Sequence, residues 1–158
     1  MARDQERTGE EDTALKDIAQ ETLEEARMVL PGIQALFGFQ LIAAFNERFH
    51  QLGDTEQVMH YGALVLVAVA VALIMTPAAY HRLAEQRSVS KFFVQLASWL
   101  IAGAMVPLMG ALAIDVYLVG RVVLGSAAVS GAIAAGVLIL LAGLWFAFPL
   151  LMRWRKSG

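Results

Sequence analysis

Apolar residues run along this chain in long blocks separated by short polar breaks. The first block opens at Met28 and closes at Phe45. The second, "YGALVLVAVAVALIMTP", spans Tyr61–Pro77. The third begins at Phe92 and stays apolar through Ala113. The fourth begins between Val123 and Ser130 and ends at Met152. A helix needs about 20 mainly apolar residues to cross about 30 Å of hydrocarbon. The pattern therefore predicts four spans, at about 28–48, 59–79, 92–117 and 124–152, making residues 28–152 one membrane domain. Between Phe92 and Met152 only Asp115 and Arg121 are charged. The turn between spans three and four is placed there, with Gly120 supporting it. Three stretches this long and this apolar cannot all be hidden in the core of a 158-residue soluble protein.

Ahead of the first block the pattern changes to helical alternation. Leu15, Ile18, Ala19, Thr22, Ala26 and Val29 recur at three- and four-residue spacing, opposite Asp17, Gln20, Glu21, Glu24 and Glu25. Asp12 or Thr13 caps such a helix. Residues 12–27 are read as an amphipathic cytoplasmic helix, preceded by a disordered acidic tail at 1–11. Pro31 is a candidate kink where the helix enters the membrane, because it removes a backbone donor.

Charge turns this pattern into a topology. Residues 1–27 hold nine of the fourteen acids and four of the twelve basic residues. Such an acidic arm favours protein contact over attraction to anionic lipid. With four spans, one side collects Arg3, Arg7, Lys16, Arg27, Arg82, Arg87, Lys91, Arg153, Arg155 and Lys156, and the other only Arg48 and Arg121. The excess of positive charge on the cytoplasmic side predicts both termini inside, with residues 153–158 as a basic cytoplasmic tail. Trp145, Phe146, Phe148 and Trp154 gather at the inner end of span four, as an aromatic belt would. The fold class is all-α: a four-helix transmembrane bundle with an N-terminal cytoplasmic helix. The N-terminus has no apolar run after a basic start, so the first span itself is expected to target the chain to the membrane.

Polar side chains inside the spans are the candidate chemistry. Gln34 shares a stripe with Arg27, Leu41 and Arg48, and Gln40 shares another with Ile33 and Glu47. An amide costs free energy in lipid without a partner, so both glutamines are expected to face the bundle interior. Gln34 and Gln95 lie at similar depth, which predicts a contact between them. Gln40 falls near mid-membrane, where Ser98 or a second subunit is the available partner. Two roles fit these amides: interhelical bonds of about 0.6–2 kcal/mol each, or the lining of a hydrated path. Counting about 1.5 Å per residue from Lys91 puts Asp115 at or past the outer rim, and no ionisable residue falls at mid-membrane. The outer rim collects Glu47, Arg48, His50, Asp54, Glu56, His60, Tyr61, Asp115, Tyr117 and Arg121. Among these, Glu47, Arg48, His60, Asp115 and Arg121 form a candidate ionic cluster able to sense pH or bind a cation. The inner rim carries Tyr80, His81 and Arg82, whose expected role is topological. In span four, Ala127, Gly131 and Ala135, and also Ala128, Ala132 and Gly136, repeat every fourth residue, a spacing that lets helices approach closely.

The chain has no cysteine, which removes disulfides, thiol catalysis and thiolate metal sites. It has no metalloprotease, serine-hydrolase, phosphate-loop or dinucleotide motif, so no catalytic residue, metal or cofactor is assigned and no enzyme is expected. The acidic arm speaks against nucleic acid. The stretches "LPGIQALFGFQLIAAFNERF" and "TPAAYHRL" resemble a family of small bacterial integral-membrane proteins of unknown function, common in actinobacteria. Some members carry a sodium:proton antiporter label. The resemblance covers about residues 20–150 and implies a bacterial inner membrane, with Gln34, Gln40, Arg48, His81 and Arg82 as the matching polar positions. The label does not agree with the absence of a mid-membrane carboxylate. Two functions follow as expectations. One is a homo-oligomeric channel or transporter in the lipid bilayer, passing an ion or small solute along the span-one glutamines. The other is a non-transporting scaffold or regulator acting through the acidic N-terminal helix.

Overall fold

The computed structural model describes residues 2–84 and 89–157; the side chains of residues 2–12, Arg48 and Ser157 lie outside that description, as does Arg87. Helix α1 runs from Ala2 to Ala44 and α2 from Asp54 to Ala84. Helix α3 runs from Lys91 to Leu124 and α4 from Ala127 to Ala142. A π-helical turn, Gly143–Ala147, carries α4 into α5, Phe148–Ser157. Four helical rods are long and apolar enough to cross a membrane: Thr13–Ala44, Asp54–Ala84, Lys91–Leu124 and Ala127–Lys156. This is a membrane protein by length and composition. Short connections make successive helices antiparallel, so both termini lie at one end, here termed the terminal end, and the α1–α2 and α3–α4 turns lie at the far end.

The core follows from a seven-residue repeat. On α1 the buried positions are Ala19, Ala26, Ile33 and Gln40, and on α3 they include Ala97, Ala104, Ala111 and Leu118. On α2, His60, Val67 and Ile74 interleave with Ala63, Ala70 and Pro77. Strict seven-residue spacing keeps one seam of a helix facing its neighbours, as in left-handed knobs-into-holes packing. Alanine at half of these seam positions lets the backbones approach closely, the device that drives helix association in lipid. Leu30, Leu36, Phe37, Leu66 and Leu108 pack around this seam. A second cluster of Ala19, Phe93 and Ala97, with Leu23, Tyr80 and Val94, ties the first part of α1 to the start of α3 at the terminal end.

Helix α1 is continuous from Ala2 to Ala44. Pro31, Pro77 and Pro107 lie inside their helices without ending them. One expectation changes here: the chain does not reverse at Gly120. Helix α3 continues to Leu124 and ends at Gly125, whose φ of 68° is the left-handed conformation that glycine adopts without a Cβ penalty. Ser126 then caps α4 by accepting from the Val129 N–H.

Gly120 has a different task. A Cβ there would lie 2.8 Å from Ser130 Oγ and 2.9 Å from Ser130 Cβ. Here α3 lies in tight contact with α4, and Ser130 turns its hydroxyl back to the Ser126 carbonyl at 2.8 Å. Helix α4 packs chiefly on α3 and buries only Ser130 and Ala134. The bundle is thus a three-helix core of α1, α2 and α3 with α4 laid against the outside of α3. The small residues Ala127, Ala128, Ala132, Ala135 and Gly136 are exposed rather than packed on α3. The π turn has a local cause: Pro149 cannot accommodate the carbonyl four residues earlier in a regular helix. One wider turn, with the Phe148 N–H bonded to the Gly143 carbonyl, precedes it.

Replacing Gly120 by valine should separate α4 from α3 and destabilise the protein by about 1–3 kcal/mol. Gly136→Ala, with nothing within 4 Å of the added methyl, should be neutral or slightly stabilising. Thermal unfolding in detergent, followed by circular dichroism, compares the two.

Candidate functional site

The seven-residue seam of α1 ends in a glutamine. Position 40 must be buried if Ala19, Ala26 and Ile33 are, and Gln40 is only 4% exposed. An amide at that position needs partners from the neighbouring helices. Gln40 Nε2 donates to Asp115 Oδ2 of α3 at 2.7 Å. His60 of α2, 6% exposed, has Nε2 2.8 Å from the Gln40 backbone carbonyl. A carbonyl can only accept, so Nε2 carries the proton and is the donor. One residue of α1 is therefore held by its side chain to α3 and by its backbone to α2.

The connector between α1 and α2 completes the enclosure. Residues Glu47–Gln51 form a 3-10 turn that sets the Phe49 ring edge-on to His60, with centroids 5.0 Å apart. Gln57 Nε2 donates to the Leu52 carbonyl at 3.0 Å, and Gly53 N–H donates to Glu56 Oε2 at 3.1 Å. The latter bond caps α2 by the reach of a third-position glutamate back to the residue before the helix. The same Glu56 forms an ion pair with Arg121 of α3. Arg121 also donates to the Gly125 carbonyl at 3.1 Å. The far end is thus tied twice between α2 and α3, by Glu56–Arg121 at the edge and by the Gln40–His60–Asp115 cluster further in.

Above the cluster lies a groove of about 420 Å³, bounded by Leu36, Phe39, Ala43, Asn46, Phe49, Leu52, Leu118, Val119, Val122 and Val123. With Asn46, the residues Gln40, His60 and Asp115 are its polar lining. Gln40 Oε1 is buried and has no hydrogen-bond partner. That atom can accept, and nothing in the described protein donates to it.

The predicted site residues fall into separate groups. Gln40 does not meet Ser98: it lies four residues before the end of α1, beside His60 and Asp115. Ser98 is exposed and donates to the Val94 carbonyl of its own helix at 2.9 Å. Gln34 and Gln95 are both exposed and are not joined. The reason is angular: Gln34 is one residue beyond Ile33 and so points about 100° away from the seam. Helix α3 continues through nine residues beyond Asp115 to Leu124. The five-residue ionic cluster does not assemble. His60 and Asp115 meet at Gln40, Arg121 pairs with Glu56, Glu47 is exposed on the connector, and the Arg48 side chain lies outside the described residues. At the terminal end, Tyr80 stacks on Phe93 with centroids 6.0 Å apart, and His81 lies 5.4 Å from the same ring. Arg82 is exposed. Glu56 as the partner of Arg121 was not foreseen, although its place three residues after Gly53 is a capping signal.

A family model described as a family of unknown function, DUF6328, matches residues 10–149. The chain belongs to the DUF6328 family. The matched region takes in the first three rods, the fourth as far as residue 149, both stretches that carried the resemblance, and Gln40, His60 and Asp115. No curated protein and no solved structure matches the chain.

Gln40→Leu would leave the Asp115 carboxylate without its donor, at a cost of about 1–3 kcal/mol. Combined with Asp115→Leu, most of that loss should be recovered. A double-mutant cycle on thermal or denaturant stability reads the coupling, and additive losses would show that the bond contributes nothing.

Proposed function

We propose that this multi-pass membrane protein receives an ion or small solute at the Gln40–His60–Asp115 cluster and belongs to the transporter class of membrane proteins. The observation that carries this reading is Gln40 Oε1. It is a buried acceptor with no partner, beside a carboxylate and a histidine, at the floor of an open groove. Buried polar groups are nearly always satisfied, so such an atom marks a place where a ligand or solvent donor completes the set. Ionisable side chains within membrane helices point the same way.

The path differs from one lined by both glutamines. Among the described residues the buried polar side chains are Gln40, His60 and Ser130, and the middle of the core is Ala63, Val67, Ala70 and Ala104. A polar route through one chain would have to open that seam. Transfer between copies needs no such opening, and the outward-facing small residues of α4 support a homo-oligomer. The scaffold reading draws less support, because Ala19 and Ala26 of the N-terminal helix already pack within the chain. The membrane is read as a bacterial inner membrane with both termini cytoplasmic, on the ten-to-two division of basic residues. The cluster then faces the outer side.

In liposomes, flux of a small cation or solute should be lost in Gln40→Leu and unchanged in Glu24→Ala. Silence toward every species tried, with a partner captured through residues 12–27, would favour the scaffold instead. The absence of native cysteine makes orientation simple to read. Single cysteines at Gly53 and Ser157 should react with an impermeant maleimide from opposite sides of intact cells, only the first from outside.

A further inference from the structure

The groove at the far end is chemically two-sided. Its floor is polar, with Gln40 and Asp115. Apart from Asn46 its walls are apolar, and Phe39, Val119 and Val123 are 70%, 62% and 72% exposed. It therefore opens on the outer face of α1 and α3, where the apolar side chains of a spanning helix meet lipid. A ligand that uses both floor and walls joins a polar head to an apolar part. At about 420 Å³ the groove falls in the range of small-molecule sites.

The floor defines the head of such a ligand. Gln40 Nε2 is committed to Asp115 at 2.7 Å, which turns Oε1 to the role of acceptor, and that oxygen is buried without a donor. A carboxyl and an amide oxygen accept hydrogen bonds, so the complementary group carries N–H or O–H, and the carboxylate favours positive charge. An anionic head such as a phosphate or sulfate would meet like charge at Asp115.

We infer that the groove binds an amphiphilic primary amine, its ammonium donating to Gln40 Oε1 and Asp115 and its alkyl chain lying along Phe39 and Val119. This rests on the reading of the cluster as a binding site and narrows the ligand from any ion or solute to one with an apolar tail. His60 stays bound to the Gln40 backbone carbonyl and holds that turn of α1 against α2.

The test uses the full chain in nanodiscs and four probes: octylamine, octanol, octyl sulfate and ammonium chloride. Thermal midpoint against probe concentration is the readout. Octylamine should raise the midpoint at concentrations at least tenfold below those needed of octanol or ammonium, and octyl sulfate should not raise it. Asp115→Asn should reduce octylamine to the level of octanol. Phe39→Ala removes an exposed side chain outside the polar cluster and should leave the fold intact. It should weaken octylamine several-fold while leaving ammonium unchanged. Equal action of octanol and octylamine would overturn the proposal. So would equal action of ammonium and octylamine, which would leave the ion-binding reading standing. No response to any probe, together with no flux in liposomes, would overturn both readings.

Discussion

Close approach of helix backbones is the constraint from which the rest of this molecule follows. Within lipid, apolar side chains gain little by leaving the bilayer for a protein core, so packing and polar contacts must hold helices together. Alanines at seven-residue spacing on α1 and α3, interleaved with the paired repeats of α2, supply that packing. They also fix the rotation of each helix. Once Ala19, Ala26 and Ile33 face inward, position 40 has no freedom to face elsewhere. The polar cluster is in this sense a product of the seam: a glutamine stands where the repeat demands burial, and Asp115 and His60 make that burial tolerable.

The same constraint separates the two glutamines. Gln34 and Gln40 look alike in sequence, six residues apart in one apolar stretch. One step of helical rotation makes the first exposed and the second a tie between three helices. The polar cluster lies at the far end of the core, whose centre is alanine and valine. A polar cluster at one end of an apolar core is a different arrangement from an open pore, and the exposed apolar walls of its groove relate it to the bilayer as much as to water.

Much of the fold was legible from hydropathy alone, because span length and purity are set by bilayer thickness and need no knowledge of packing. The four rods stand where the apolar blocks lie. The end of α3 was misread because two glycines compete for it: Gly120 looks like a turn residue, but its lack of a side chain admits α4, while Gly125 makes the turn. For the site, the stripe of Ile33 and Gln40 was visible, but carrying it back through Ala26 and Ala19 was the step that separates it from the stripe of Gln34. The Glu56–Arg121 pair and the Phe49 cover on His60 depend on how the connector folds, which no periodicity encodes.

The position of α4 has a consequence for how the chain tolerates change. It rests on one neighbour, buries Ser130 and Ala134, and otherwise meets its surroundings alone. A helix in lipid satisfies its backbone internally, so such a rod is stable with little help from the others. Within the single chain, substitutions along most of α4 therefore have only to preserve hydrophobicity, whereas those along the seams of α1, α2 and α3 must preserve volume. Within one small protein, two different rules of acceptable variation stand side by side, and the boundary between them is the line of contact from Gly120 to Ser130.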